Sequence, residues 1–254
     1  MQKNSFKKKE LIILTGITGG IGNFVFNNLP EEYEFLILGR SKSKLKSLVK
    51  NKKKANYYFY DQIKNLNTKE FTKKINFKNY SNIHLIFFSG TLDKKKMSFD
   101  YKNWYEIFQI NLISHLEILF SIIKFYKNKN DTVNQVIFLS GGGGASSFPE
   151  FPAYSASKTA MIRTVENLSQ KYAKFNFSIF ALAPGAIKSK MLSKVLQFSK
   201  VGKRSSKRIV FEFIIQSLKR KNKIYNGKLI HVRDKLSNII KHKGKNFYKL
   251  RRIE

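Results

Sequence analysis

The tightest restriction on this chain is an alternation of short, continuous apolar runs with segments of helical spacing. Glu10 to Leu14, Glu34 to Leu38, Asn56 to Tyr60, Ile83 to Phe88, Val136 to Leu139 and Phe177 to Leu182 read as buried strands, with Lys228 to Val232 as a seventh. Between them, Phe24 to Leu29, Lys42 to Lys50, Trp104 to Phe125 and Ala153 to Ala173 carry helical spacing. Strands that are apolar throughout, alternating with helices, predict a parallel sheet covered on both faces. The expected class is α/β, a doubly wound, seven-stranded, mostly parallel sheet flanked by helices. The stretch from Lys188 to Asn226 breaks this rhythm. It is basic, helix-like and without a clear strand, and reads as an insertion above the carboxyl ends of the sheet, where ligands bind in such folds.

Composition narrows the class further. At 254 residues, with 42% hydrophobic residues, the chain suits a single domain over 1–254 with ample material for a core. The absence of cysteine excludes a disulfide scaffold, a thiolate zinc site and a cysteine nucleophile, and points to the cytoplasm. No metal site is expected. The apolar runs fall short of the roughly 20 residues of a membrane span, and no secretory leader follows the basic opening. The formal net charge of +33 has two readings. One is an anionic partner such as nucleic acid. The other is mutational bias, since Lys far outnumbers Arg and the cations are scattered instead of lining one face. Without a recognised reading motif, no nucleic-acid partner is expected.

Two constellations carry chemistry. Thr15-Gly16-Ile17-Thr18-Gly19-Gly20-Ile21-Gly22 lies where the first strand turns into a helix. Glycines there permit a tight turn and close approach of a pyrophosphate, which the helix N-terminus attracts. Tyr154 and Lys158 stand one helical turn apart, so a phenol and an ammonium share a face. A nearby cation favours the phenolate, which suits the pair to exchanging a proton with a carbonyl or alcohol. Ser140 adds a hydroxyl at the end of the preceding strand.

With these features the chain resembles the short-chain dehydrogenases/reductases, which build a Rossmann-type sheet. Thr15 to Gly22 matches the family's TGxxxGxG turn. Asn111 on the long helix, Ser140 after the fifth strand, and Tyr154 with Lys158 follow in the family's order. The resemblance implies Tyr154 as general acid/base, Lys158 lowering its pKa and binding the nicotinamide ribose, Ser140 orienting the substrate carbonyl, and Asn111 holding a relay water. It implies cofactor contacts from Thr15, Gly16, Thr18, Gly20, Ile21 and Gly22. Further contacts are implied at Asp61, Ser89 and Gly90, and in the PG turn at Pro184, Gly185, Ile187 and Ser189. The family's NNAG appears as Phe87-Phe88-Ser89-Gly90. Ser140 precedes Tyr154 by fourteen positions, with Gly141 at the more usual place; Ser140 is chosen because it ends the strand.

Cofactor choice turns on the end of the second strand, where a carboxylate would bind the 2′-hydroxyl of NAD and an Arg the 2′-phosphate of NADP. The chain offers Arg40 and Ser41 there and no carboxylate, so NADP(H) is favoured over NAD(H). The expected activity is hydride transfer between the nicotinamide and a carbonyl or alcohol. The substrate is small or carrier-bound, with anionic candidates such as a keto sugar or a 3-oxoacyl thioester. The alternative is a non-catalytic NADP-binding regulatory or scaffold protein on the same fold. By resemblance, a homodimer or homotetramer is expected.

Overall fold

In the computed structural model, which describes residues 9–94, 99–125, 133–198, 200–201, 203–220 and 222–241, all seven apolar runs are strands. They are β1 Lys9–Thr15, β2 Glu34–Gly39, β3 Ala55–Phe59, β4 Tyr80–Phe87, β5 Asn134–Leu139, β6 Phe177–Ala183 and β7 Leu229–His231. The two ends of the 1–254 domain, and positions 199, 202 and 221 of the basic segment, lie outside the described residues. The strands form one sheet in the order β3-β2-β1-β4-β5-β6-β7, and every pairing is parallel. The order reverses at β1 and β4, which opens a crevice at their carboxyl ends.

Side chains alternate across the sheet with the period of a strand. Leu11, Ile13, Leu85, Val136 and Ile179 face one way, against α5 (Ser114–Phe125) and α6 (Pro152–Lys171), whose Ile118, Leu119, Met161 and Val165 are buried there. Ile12, Leu14, Ile86, Ile137 and Phe180 face the other way, against α1 (Gly20–Asn28) and α2 (Lys42–Lys50). Both faces are therefore apolar, which is why the strands read as continuous runs instead of alternating ones.

Three local outcomes differ from the sequence reading. Trp104 to Phe125, expected as one helix, begins earlier as α4 (Tyr101–Phe108), where Asp100 accepts the backbone N–H of Asn103. It passes through a π-helical turn, Gln109–Ile113, before continuing as α5. A short helix, α3 (Thr68–Lys73), is an addition to the expected elements; Asn67 caps it by accepting from Glu70 N, and that N-x-x-E spacing is its only local signal. The basic segment is also not uniform. It holds α7 (Lys190–Val195) and then α8 (Lys207–Arg220), whose Val210, Ile214 and Leu218 are fully buried with Phe26 of α1. Thus α8 is the crossover helix from β6 to β7, and the departure from β-α rhythm is confined to the residues before it. A final short helix, α9, spans Leu236–Lys241.

One stretch, Tyr101–Lys124, is long and apolar enough by composition to cross a membrane. Its apolar side chains Ile107, Leu112, Ile118, Leu119 and Ile122 are instead spent on the core.

Candidate active site

The β1–α1 turn is shaped first by the chain's own packing. Gly16 has a left-handed φ of 71°, and a Cβ there would lie 2.4 Å from Ser89 N. At Gly22 a Cβ would sit 2.6 Å from the Gly16 carbonyl oxygen. Only glycine lets the turn lie on the end of β4 and α1 on the turn. Gly20 differs: the nearest atoms to a Cβ there are Lys207 Cε and Nζ, both at 3.7 Å. Thr18, Gly19 and Gly20 are exposed, and Ile21 is half-buried. The hydroxyls of Thr15 and Ser89, both buried, have no hydrogen-bond partner among the described residues. An open helix N-terminus beside unpaired hydroxyls fits the phosphates of a dinucleotide.

The other cofactor candidates ring the same crevice. Arg40 is exposed after β2 and makes no ion pair among the described residues, and Ser41 is half-buried beside it. Asp61, after β3, accepts from Ile63 N at 3.3 Å and so holds its own turn. Pro184 and Ile187 are buried, and Gly185 has φ 73° with a Cβ position 2.5 Å from Ser205 Oγ. Ser189 caps α7 by accepting from Leu192 N at 3.1 Å.

Asn111, Tyr154 and Lys158 are brought together beside Gly90. A Cβ on Gly90 would lie 3.5 Å from Asn111 Oδ1 and 3.7 Å from Lys158 Nζ. The Asn111 side chain is fully engaged: Oδ1 accepts from Thr91 N at 2.7 Å, and Nδ2 donates to Thr91 O at 3.1 Å and to Ser157 Oγ at 2.9 Å. It ties the loop after β4 to the helix that carries Tyr154. Lys158 Nζ donates to the Leu139 carbonyl at 2.8 Å and lies 5.8 Å from the centre of the Tyr154 ring. Burial pushes the Tyr154 phenol up to about 12 and the Lys158 ammonium down to about 7. The expected lowering of the phenol by the lysine is therefore overruled, within the protein alone, by desolvation of both groups. Fully buried His115, stacked on Phe87 at 4.7 Å, is held well below the ordinary imidazole range by burial first and the Lys158 charge second.

Ser140 does not meet the phenol. Its hydroxyl is buried without a partner, 3.1 Å from a Cβ position on Gly144. The place beside Tyr154 Oη belongs to Gly141, whose Cβ position is 2.5 Å from that oxygen. Successive residues of extended chain point to opposite sides, so only one of Ser140 and Gly141 can face the phenol. Ser140, expected there because it ends the strand, makes no hydrogen bond to the phenol among the described residues, and the phenol oxygen lies against the bare backbone of Gly141.

Sequence reasoning missed two features. Asp93 accepts from Ala153 N at 3.1 Å and from Tyr154 N at 3.0 Å, capping α6, to which its own N-cap Phe151 lends no side chain. A carboxylate at a helix N-terminus is stabilising, and here it fixes the backbone of Tyr154 itself. Its distance of 61 residues from Tyr154 leaves no local signal. The second feature is an apolar cluster of Leu92, Phe151, Tyr154 and Val195, with Phe148, Met191, Phe198 and Val201 packed against it. The residues before α8 thus cover the phenol with apolar side chains, while Lys188, Lys190 and Lys194 are exposed. The lining is aromatic and aliphatic, from three separate segments that no single stretch of sequence displays.

Comparisons with known proteins agree with this geometry. A family model described as short chain dehydrogenase matches residues 10–200. A 3-oxoacyl-[acyl-carrier-protein] reductase of Rickettsia felis is 30% identical over 185 residues, 72% of this chain and 75% of that protein. Among solved structures, a 3-oxoacyl-[acyl-carrier protein] reductase of Brucella melitensis in complex with NAD has a TM-score of 0.74 at 16% identity, covering 89% of this chain and 96% of that one. A short chain dehydrogenase of Shigella flexneri complexed with NADP has the same TM-score and identity, covering 89% and 98%. At such identities the structural likeness concerns the fold.

Proposed function

The chain belongs to the short-chain dehydrogenases, NAD(P)-dependent oxidoreductases acting on carbonyl and alcohol groups, and from that premise we propose that it is an NADPH-dependent reductase of 3-oxoacyl groups. The observation that carries the substrate class is the apolar cover on Tyr154. Phe148, Phe151, Met191, Val195 and Phe198 offer an acyl chain a surface to bury against and offer a keto sugar few hydrogen-bonding partners. The exposed Lys188, Lys190 and Lys194 outside that cover suit an acidic carrier bearing the acyl group. The name of the Rickettsia felis relative supports the same reading.

When bound, the cofactor supplies the hydride. The chain's part is to hold the carbonyl and deliver the proton. Tyr154, kept protonated by burial across the neutral range, donates from Oη to the carbonyl oxygen as negative charge develops there. Lys158, with its pKa near 7, is matched to returning a proton to the phenolate. Asn111 and Asp93 fix the two sides of that site, one through Thr91 and Ser157 and one through the α6 N-terminus. Exposed Arg40 receives the 2′-phosphate, which selects NADPH over NADH. Tyr101, Tyr105, Ile113 and Phe120, exposed along α4, the π turn and α5, support a homodimer or homotetramer.

Turnover with NADPH across 3-oxoacyl thioesters of increasing chain length tests the reading. Each buried methylene is worth roughly 0.8 kcal/mol, so kcat/KM should climb about fourfold per methylene until the apolar surface is filled. Faster turnover of a nucleotide-linked keto sugar would reassign the substrate, and binding of NADPH with no carbonyl turned over would return the protein to a scaffold role.

A further inference from the structure

Lys207 is the first residue of α8, yet its side chain ends at the first residue of α1, with Cε and Nζ 3.7 Å from a Cβ position on Gly20. That placement is built. Ala186 and Arg204 form a parallel bridge, Ser205 N donates to Ala186 O at 3.0 Å, and Ser206 Oγ accepts from Ile209 N at 3.3 Å to start α8. Below it, Val210, Ile214 and Leu218 fix α8 in the core that also holds Val25 and Phe26 of α1.

Electrostatically the arrangement has the wrong sign for a resting contact. The N-terminus of a helix is its positive end and favours an anion. Here α1 has no acidic residue in its first turn and no side-chain cap from Gly19, and a lysine stands against it. The first turn of α8 has no acidic residue either, and the Lys207 ammonium makes no hydrogen bond or ion pair among the described residues. The unpaired, buried hydroxyls of Thr15 and Ser89 flank the same turn, and Ser189 Cβ lies 4.0 Å from the Gly20 position. Two positive helix ends and an ammonium without a partner among the described residues are accounted for together by an anion on the α1 N-terminus.

We propose that Lys207 binds the pyrophosphate of the dinucleotide, reaching from α8 across the β1–α1 turn, so that the crossover helix contributes to cofactor affinity without contributing to the choice between NADPH and NADH. This rests on the dinucleotide reading of the turn. Because the pyrophosphate is common to both cofactors, the effect of removing the ammonium is the same for both, whereas the effect of removing Arg40 is not.

Calorimetric titration of the full chain with NADPH and with NADH, each without substrate, reads this directly. Lys207→Met should weaken both by about ten- to a hundred-fold, the range of a charge-assisted contact, with their ratio unchanged. Arg208→Met removes an equal charge one residue away, from an exposed pair with Glu212, and should leave both affinities within about twofold. Lys207→Arg should retain most of the affinity. The proposal is overturned if Lys207→Met binds as wild type does, if it binds more tightly because the lysine was an obstruction, or if Arg208→Met loses as much, which would make the effect one of overall charge. A wild-type protein that bound neither dinucleotide would instead remove the reading on which the proposal rests.

Discussion

The two ends of the crevice treat charge in opposite ways. At the α1 turn, Thr18, Gly19 and Gly20 are exposed, and the groups around them, Arg40 and Lys207, are cations without ion-pair partners among the described residues. At the far end, Tyr154 and Lys158 are buried under an apolar cover, and their protonation is set by loss of water. The first end presents full charges near solvent. The second adjusts proton affinity by withdrawing solvent, and there a single hydroxyl or amine matters more than any net charge. A chain with +33 formal charge can therefore hold a buried lysine whose pKa burial brings down to about 7.

The sharpest test of this contrast sets two hydroxyls against each other. Tyr154→Phe keeps the ring in its packing and removes the proton donor, and should lower kcat by about 100-fold or more with dinucleotide affinity preserved. Ser140→Ala, in the same assay, should change kcat by less than about threefold, since its hydroxyl makes no hydrogen bond to the phenol among the described residues. A loss at Ser140 as large as that at Tyr154 would mean that Gly141 has been given the wrong place.

Next in size is the exposed end. Arg40→Ala should cost NADPH roughly ten-fold or more in affinity while leaving NADH nearly unchanged, which competition binding measures as a collapse of the ratio. Equal losses for both dinucleotides would blur the distinction between Arg40 as selector and Lys207 as common anchor.

Stability as a function of pH tests the buried end from another side. The Lys158 pKa is lowered in the folded chain from 10.5 to about 7, so between pH 7 and 10.5 the unfolded chain binds the extra proton and folding stability rises with pH. Below about 7 the penalty of the buried ammonium is fully present. The phenol acts oppositely above pH 10, where the folded chain keeps a proton the unfolded one has lost. Thermal unfolding of wild type and Lys158→Met should therefore converge as pH rises from 7 toward 10, with wild type gaining. Parallel pH profiles would show that water reaches the lysine and that burial does not set its proton affinity.

Legibility in the sequence divides along the same line. Most strands were legible because they are apolar on both faces, the edge strand β3 less so since only Tyr58 in it is buried, and α2 was legible over Lys42–Lys50 because its spacing is regular. The glycine turn and the proximity of Asn111, Tyr154 and Lys158 were legible because their spacing is local or tied to strand ends. Ser140 against Gly141 was not, because a difference of one residue at a strand end reverses which side chain faces the phenol. Asp93, Met191 and Lys207 were not legible either, since each acts on a residue far away in sequence, and only the packed chain makes them neighbours. Basic composition also hid the apolar side of the segment before α8: lysines dominate its sequence, while Met191, Val195, Phe198 and Val201 pack with Tyr154.

The π turn at Gln109–Ile113 has a consequence for how this chain can change its length. A π turn holds one more residue than the α-helical turn it replaces, and the surplus is absorbed locally as a bulge. Ile107 before it and Ile118, Leu119 and Ile122 after it all face the core. A one-residue deletion inside the turn would thus relax it to ordinary helix and keep both flanks in register. The same deletion anywhere in α5 would rotate the remainder of that helix by about 100° and turn its apolar stripe outward. What the shortened turn would lose is the seat of Asn111, and with it the tie between Thr91 and Ser157. At this one point in the helix, folding and the geometry of the site are separately heritable, and a descendant could shed the second while keeping the first.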